Sequence, residues 1–586
     1  MEENNSKKKT VIFYVVAYII AALIGFATYY FALPPMNVHS YGFWVFLAWC
    51  GLIGILPLYI SKLKDANGDT ELKDFFEKLI HTGFNKNKRK KKSGDIEVKD
   101  KTEQGGFFKK AYVWLAIPLI PILVLAFGGI ASSEIFNAGS YASIVEVREA
   151  EFTSDMPKTD KVTHIALMDT DTAKIIGSRT LGSLSHVVSQ YEVSEEYSQI
   201  NYQGTPKKVS NLEYAGFFKW LGNRANGIPG YVMVDPVDNT AKYVELEKPL
   251  RYVDSGFFAD DLNRKLRFDY PTKMLGAPSF ELDDEGNAVF IVPCYKPQVS
   301  LFGARDVSEV IIFDPASGES NIYSLDKTPS WIDEVYNGYL ACEKYDWHGK
   351  LSSGFINSII GQKDCKVTTD DFGYVILGDD VWYYTGVTSV NSDKSNIGFI
   401  MTNARTGEYK FYPVIGAEEH SAMAAAEGEV QEKEYTASFP ALINAFGQPT
   451  YIMTLKDVGG LVKLYALVNV EKYSIVATGA TQEKAMEAYE ELLIEEGLTA
   501  EKTDTAPDAQ TVTVTDAVSE TKIASIDGES YIYISIPTDG GENRLYRARV
   551  KDDESLLLVR VGDKITIKAV ESDTKGIYLI TEWSFA

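Results

Sequence analysis

Three stretches without a single Lys, Arg, Asp or Glu constrain this chain more than any other feature. Val11 to Leu33, Gly42 to Ile60 and Ala111 to Ala131 contain 23, 19 and 21 residues and no charge. A hydrocarbon core about 30 Å thick is crossed by about 20 apolar helical residues, so each run is long enough to span. A buried core helix rarely lacks charge over such a length, and a signal-peptide apolar region is usually shorter than the first run. Pro34-Pro35 leads directly from that run into the second. The pattern predicts an uncleaved transmembrane hairpin over 1–60, a loop over 61–110 and a third transmembrane helix over 111–131.

Charge sets the expected orientation, because Lys and Arg near span ends mark the cytoplasmic side. Lys7, Lys8 and Lys9 precede the first run, the connection 34–41 is uncharged, and 61–110 holds 14 Lys/Arg against 9 Asp/Glu. The N-terminus and the loop are expected inside and residues 132–586 outside. The formal net charge is -23, and the outer region carries the acid: 41 basic against 70 acidic residues. Four cysteines in 586 residues exclude a disulfide scaffold and give no zinc spacing. Three of them, Cys294, Cys342 and Cys365, fall in the outer region, so at most one bridge can form there, Cys342 and Cys365 being the nearer pair.

Lys86, Lys88, Arg89, Lys90, Lys91 and Lys92 form the one strong basic cluster. It suits anionic lipid headgroups, at about 1 kcal/mol per residue near the surface. The alternative is a topology determinant and nothing more. No aromatic interleaving or fold motif points to nucleic acid. No charge lies within a span, which argues for an anchor rather than a transport pathway.

Beyond about Tyr141 the sequence turns into short apolar strands joined by Asp, Asn and Gly turns. Four hairpins are expected: Tyr231–Asp235 with 241–246, Val310–Asp314 with 321–325, Phe399–Asn403 with 409–414, and 451–457 with 462–470. A helix is expected after each, over 257–268, 330–345, 418–428 and 481–496. Their unequal spacing excludes a fixed-period solenoid. The fold class is membrane-anchored α+β: three N-terminal transmembrane helices, then antiparallel sheet and helix units over 132–497, expected to form two or three globular units. Residues 498–510 read as a linker. Five strands over 511–586, with a Val-Gly-Asp turn at 561–563, predict a small OB-like barrel.

The hairpins Ile312-Phe-Asp-Pro-Ala-Ser-Gly-Glu319 and Met401-Thr-Asn-Ala-Arg-Thr-Gly-Glu408 resemble those of the PepSY family of small extracytoplasmic modules. Asn403 replaces the Asp in the second copy. The resemblance implies binding or inhibition and carries no active site. Tyr214-Ala-Gly-Phe-Phe-Lys-Trp-Leu221, Gly227-Ile-Pro-Gly-Tyr231 and Gly354-Phe-Ile-Asn-Ser-Ile-Ile-Gly-Gln362 resemble multi-pass envelope proteins of Gram-positive bacteria, which implies a location and no activity.

The usual chemical signatures are missing from the sequence: no phosphate-binding G-x-x-x-x-G-K-[ST], H-E-x-x-H, C-x-x-C or G-x-S-x-G. Ser324-Leu-Asp-Lys327 and Ser519-Glu-Thr-Lys522 match S-x-x-K without its companion motifs. Asp169-Thr-Asp171 offers either hard oxygens for calcium or a helix cap. Ser210-Asn-Leu-Glu213 reads as a capping box opening a helix toward Trp220. Asp379 and Asp380, followed by Trp382, are the candidate ligand-binding residues, because paired carboxylates beside aromatics suit a carbohydrate face; the alternative is a solvated turn. No catalytic, cofactor or metal residue is assigned. The expected function is a non-catalytic, membrane-anchored binding or assembly protein of the cell envelope, its partner an envelope protein or cell-wall polymer. The rival is a glycan or peptide hydrolase using ectodomain carboxylates such as Asp379 and Asp380.

Overall fold

The computed structural model describes residues 2–65, 104–159, 166–369, 371–390, 395–499, 511–526, 529–537, 543–551, 553–572 and 576–586. The basic cluster 86–92 and all but two residues of the expected linker lie outside them. The chain divides into two compact units, Met1–Leu493 and Ile494–Ala586.

The first unit begins with helices α1 (Glu2–Ala32), α2 (Tyr41–Asp65) and α3 (Gln104–Ala131), and a short α4 (Glu134–Ala142) follows at a bend of 55°. Within α1, Val11–Ala32 is long and apolar enough to cross a membrane, with a mean hydropathy of 2.4. Small residues let the helices approach: a Cβ on Gly51 would sit 3.3 Å from the Pro118 backbone. Trp49 Nε1 donates to Thr28 Oγ1 at 3.1 Å, tying α2 to α1.

The body of the first unit is α+β, with four large, mostly antiparallel sheets among its described residues and a two-stranded one, Ser395–Asn396 with Gly416–Ala417. The first sheet runs Tyr191–Val193, Thr205–Tyr214, Ile228–Asp235, Thr240–Leu250, with Ser198–Tyr202 paired to the second of these. The second runs Ser320–Ser324, Gly303–Phe313, Ala288–Val299, Met274–Leu275, with Ser279–Leu282 on the third. These two sheets bury one core, in which Val232, Val234, Phe290, Val292 and Phe313 meet and the rings of Tyr231 and Phe280 lie 5.7 Å apart. The third sheet runs Val147–Glu149, Tyr409–Tyr412, Gly398–Asn403, Asp380–Ser389, Lys366–Thr368, with Gly373–Leu377 on the fourth. The fourth sheet runs Lys158–Thr159, Ala441–Ala445, Gln448–Lys456, Val462–Asn469, Val476–Gly479, with Thr436–Ala437 on the third. Sheets three and four share a second core around Tyr384, Phe399, Tyr451, Met453 and Val468.

All four expected hairpins form. Each is followed by a helix, as expected, but a further helix, Thr170–Gly182, precedes the first of them. Helices Thr170–Gly182, Leu262–Asp269, Gly338–Leu351 and Glu419–Glu429 each precede a sheet. The first packs on strands Ile228–Asp235 and Thr240–Leu250, which follow it, and the last packs on Gln448–Lys456 and Val462–Asn469. A further helix, Gln482–Glu495, lies on the fourth sheet, its Tyr489 hydroxyl bonded to Thr450 Oγ1 at 2.9 Å and Asn469 Nδ2 at 3.0 Å. Two short strands reach forward along the chain: Val147–Glu149 pairs parallel with Tyr409–Phe411, and Lys158–Thr159 with Asn444–Ala445.

Two local expectations change. Ser210–Glu213 lies in strand Thr205–Tyr214, not at a helix start; Ser210 Oγ donates to Ser194 O at 3.0 Å. The helix toward Trp220 starts instead after Gly216, whose φ of +97° suits only glycine. The helix expected from Ser330 begins at Gly338, capped by Asn337 Oδ1. Asp169 is a helix cap, its Oδ1 accepting Thr172 N–H at 2.8 Å and its other oxygen paired with Lys456. Cys294, Cys342 and Cys365 are all free thiols.

The second unit is one six-stranded sheet in the order Val512–Ala517, Lys564–Glu571, Ile577–Phe585, Asn543–Arg549, Glu529–Pro537, Glu520–Ile526. Asn543–Arg549 and Ile577–Phe585 run parallel and the other neighbours antiparallel. The two outermost strands are consecutive in the chain, separated by Val518 and Ser519. Ile534, Ile536, Tyr546, Ile565 and Ile567 fill its core. Glu520–Ile526 is a strand that the sequence reading left out.

Candidate functional site

Several buried ionisable groups gather where the first two sheets meet the third. Glu281 sits in strand Ser279–Leu282, between Phe280 and Leu282, and is fully buried. Its Oε2 accepts the N–H of Asp333 and its Oε1 that of Glu334, both at 3.0 Å. Asp333, also buried, accepts the Asn201 N–H at 2.8 Å. Asn201 lies in strand Ser198–Tyr202, and its side-chain amide donates to Asp379 Oδ1 at 2.8 Å. One polar chain thus runs from the second sheet through 332–334 to the first sheet and on to the third.

Asp379 and Asp380 form the turn between Gly373–Leu377 and Asp380–Ser389. Asp380 Oδ1 receives Arg405 Nε and Nη2 at 2.8 and 2.6 Å, and its Oδ2 receives Asn403 Nδ2 at 2.8 Å. Trp382 lies two residues along the strand, on the same face as Asp380, but it is 6% exposed and packs in the second core, with Lys410 Nζ 5.2 Å from its ring centre. The structure therefore keeps Asp379 and Asp380 at the joint and buries Trp382 in the second core. The three do not share one accessible face.

Desolvation governs the protons at the joint, because burial disfavours the charged form. It pushes Asp333 up to about 7, with the neighbouring Asp379 and Asp380 charges adding to the rise and the Asn201 N–H and Arg405 opposing it. It pushes Glu334 up to about 7 against the Tyr383 hydroxyl and Lys208, which favour the carboxylate. Glu281 rises in the same direction, first by burial and then by Asp333. Lys208, buried on strand Thr205–Tyr214 with its Nζ 5.1 Å from the Tyr374 ring centre, is lowered to about 8 by burial. A related site lies in the second core region. Glu419, fully buried, accepts Gly386 N–H at 2.6 Å and the Thr369 hydroxyl at 3.0 Å, and burial raises it to about 7.

These groups can store and exchange protons near neutrality, and their burial makes that a property of the fold rather than of an open cleft. A carboxyl raised in the folded state stabilises the fold below its unfolded pKa, and this contribution is lost as pH climbs through the folded pKa. For Asp333, Glu334 and Glu419 the window runs from about 4 to about 7. Lys208 acts in a higher window with the opposite slope, adding stability as pH rises above about 8. The thermal midpoint of the intact chain should therefore fall between pH 4 and 7, and Asp333→Asn should flatten part of that slope; an unchanged slope would remove Asp333 from the account.

Sequence reasoning missed Glu281, Asp333, Glu334, Lys208 and Glu419. The available signal was a lone acid inside an apolar run, as in Phe280-Glu281-Leu282 and Ile332-Asp333-Glu334-Val335. Among the described residues no group of three or more His, Cys, Asp and Glu is arranged to hold a metal ion.

No family model and no curated protein matches the chain. A solved structure similar to part of it is the Bacillus megaterium YpeB C-terminal domain, at 11% identity over 39% of this chain and 93% of that domain. The TM-score is 0.09, and at that value the likeness carries no argument.

Proposed function

We propose that this chain is a membrane-anchored, extracytoplasmic binding or assembly protein of the bacterial cell envelope that catalyses no reaction of its own. In this reading α1, α2 and α3 all cross the bilayer, the N-terminus and the 61–110 loop are cytoplasmic, and the rest lies outside. The observation that carries the reading is the outer surface of α1. The membrane-length window within Val11–Ala32 is 0% buried by the rest of the chain, unlike a core helix, and side chains such as Leu23 and Phe26 point away from the protein. Exposed apolar surface on this scale needs a lipid or protein cover.

The far end of α1 also favours a retained helix over a cleaved signal. Arg264 Nε donates to Tyr30 O at 3.2 Å and Arg267 Nε to Leu33 O at 3.0 Å, so the folded body holds the helix terminus. The Lys86–Lys92 cluster would meet anionic headgroups on the inner leaflet. The helix-and-hairpin units serve as PepSY-like binding modules. The second unit serves as an OB-like barrel, a reading supported by its parallel strand pair and by outer strands that are consecutive in the chain. Acidic surroundings disfavour nucleic acid as its ligand, leaving an envelope protein or cell-wall polymer.

Sidedness is tested with Cys50 and Cys342 replaced by Ser, Cys294 and Cys365 being buried. A cysteine at Ser93 should resist an impermeant maleimide in intact cells, while one at Val458, 95% exposed, should label. The reverse pattern would defeat the topology. Clearing of cell wall by the purified chain, lost in Asp379→Asn, would overturn the non-catalytic assignment.

A further inference from the structure

The body of the first unit carries an aromatic surface with no cover of its own. Phe218 is 82% exposed, Phe258 54%, Leu221 51% and Phe268 44%, and Phe257 lies at the same edge. They come from helix Phe217–Asn223 and from the segment 257–268. Phe217 and Phe257 have ring centres 5.0 Å apart, and Trp220 beneath them meets Phe257 at 5.4 Å and Phe258 at 5.8 Å. Phe258 takes a φ of +55°, a left-handed backbone that bulky residues rarely adopt. The chain thus accepts strain at a position where the ring is half in solvent.

The position of this surface relative to α1 identifies its occupant. Phe268 does not sit beyond the helix end; its ring lies 5.7 Å from that of Tyr29 and 6.2 Å from that of Tyr30, alongside the last turn. Arg264 links the two directly. Its guanidinium stacks 4.3 Å from the Tyr30 ring centre, its Nε bonds Tyr30 O, and its Nη1 donates to Phe258 O at 2.6 Å. The patch is therefore continuous with the terminal turn of the apolar helix, at the depth where a spanning helix leaves the hydrocarbon. Ile135 and Phe136, 57% and 69% exposed on α4, flank the end of α3 in the same way. Nearby charges are largely answered within the protein: Asp260 is met by Arg224 and Arg251 at 3.3 and 3.2 Å. An apolar surface with internally paired charge at this level suits the headgroup–acyl boundary of a lipid bilayer.

We infer that the aromatic surface formed by Phe218, Leu221, Phe257, Phe258 and Phe268 inserts into the outer-leaflet interface, laying the body of the protein on the membrane instead of suspending it above. The inference rests on the anchor reading of α1. It adds that the first two sheets are oriented by the bilayer, so that they present one fixed face to any partner.

Depth-dependent quenching separates the two statements. The full chain, with Cys50 and Cys342 replaced by Ser, is labelled with a nitrobenzoxadiazole dye at Phe218→Cys or at Leu23→Cys. Each is reconstituted in phosphatidylcholine–phosphatidylglycerol vesicles carrying doxyl groups near the headgroup or deep in the acyl chain. The expected result is that the dye at 23 is quenched most by deep doxyl, and the dye at 218 several-fold more by shallow doxyl than by deep. Quenching at 23 with none at 218 overturns the docking and leaves the anchor standing. No quenching at 23 overturns the anchor and the docking with it. A dye at 218 that is blue-shifted but unquenched means that protein, not lipid, covers the surface, and also overturns the inference. Leu221→Cys repeats the measurement should Phe218→Cys fail to fold.

Discussion

Replacing Glu281 with Ala is expected to destabilise the Met1–Leu493 unit by about 3–5 kcal/mol, since a buried donor left unpaired costs about 1–3 kcal/mol and two are orphaned at once. The two are the backbone N–H groups of Asp333 and Glu334, which the Glu281 carboxyl satisfies at 3.0 Å each. No other part of the substitution compensates, because Ala leaves a void where the carboxyl stood. Glu281→Gln gives the contrasting result. Its one carbonyl oxygen still accepts a bond, and it removes a group that burial already disfavours as a carboxylate. Its cost should be about 1 kcal/mol near neutral pH and smaller still as the pH rises, when the native carboxyl is forced to ionise. Thermal or denaturant melts of the detergent-solubilised chain measure both. Equal losses for Ala and Gln would show that the two N–H bonds are not what Glu281 contributes.

The second large effect is expected at Arg267. Its side chain is 7% exposed, and its guanidinium donates to Leu33 O at 3.0 Å, Lys273 O at 2.6 Å and Tyr270 O at 3.3 Å. Hydrogen bonds from a charged group are worth about 1.5–3 kcal/mol each, so Arg267→Ala should cost about 3–5 kcal/mol after solvent reaches some of the carbonyls. The loss should be local first. Hydrogen exchange in 262–275 should speed up together with the connection 33–41, which is held by the same neighbourhood: Met36 N–H donates to Pro271 O at 2.7 Å and Asn37 Nδ2 to Thr272 O at 2.9 Å. Arg267→Lys should recover only part of the protection, because an ammonium cannot reach three carbonyls with the geometry of a planar guanidinium. Faster exchange confined to 262–275, with 33–41 unchanged, would mean that Arg267 does not couple the two.

What was legible in the sequence was local. The turn Asp314-Pro-Ala-Ser-Gly318 announces itself because its chemistry is contained within five residues: Asp314 Oδ1 accepts the N–H of Ala316 and Ser317, and Gly318 supplies a φ of +79°. Asn403 performs the same task in the related turn, accepting from Arg405 and Thr406 before Gly407 at +72°, so the Asp-to-Asn change costs the geometry nothing. The helix start at Ser330 failed for the opposite reason. Residues 333–336 have their backbone partners elsewhere: the Asp333 and Glu334 N–H groups go to Glu281, and those of Val335 and Tyr336 go to Ala404 O. Thr328-Pro329-Ser330 carries a start signal that this distant pairing overrides. The joint was illegible on the same grounds, since Asn201, Glu281, Asp333 and Asp379 converge from four separate parts of the chain. Which helix packs on which sheet was equally hidden, because a hairpin flanked by helices on both sides does not say which one it will bury.

The forward-reaching strands Val147–Glu149 and Lys158–Thr159 have a consequence for biosynthesis. Their mates lie at Tyr409–Phe411 and Asn444–Ala445, so both must emerge and wait while a long stretch of the polypeptide, a little under half of it, is made. Contacts so remote in sequence slow folding and leave strand edges open to wrong pairing. The third and fourth sheets are completed only when these early strands are captured by strands made much later. Maturation of the protein is thus a closing step, and a nascent form stalled before residue 445 would be the natural client of a chaperone that shields unpaired strands.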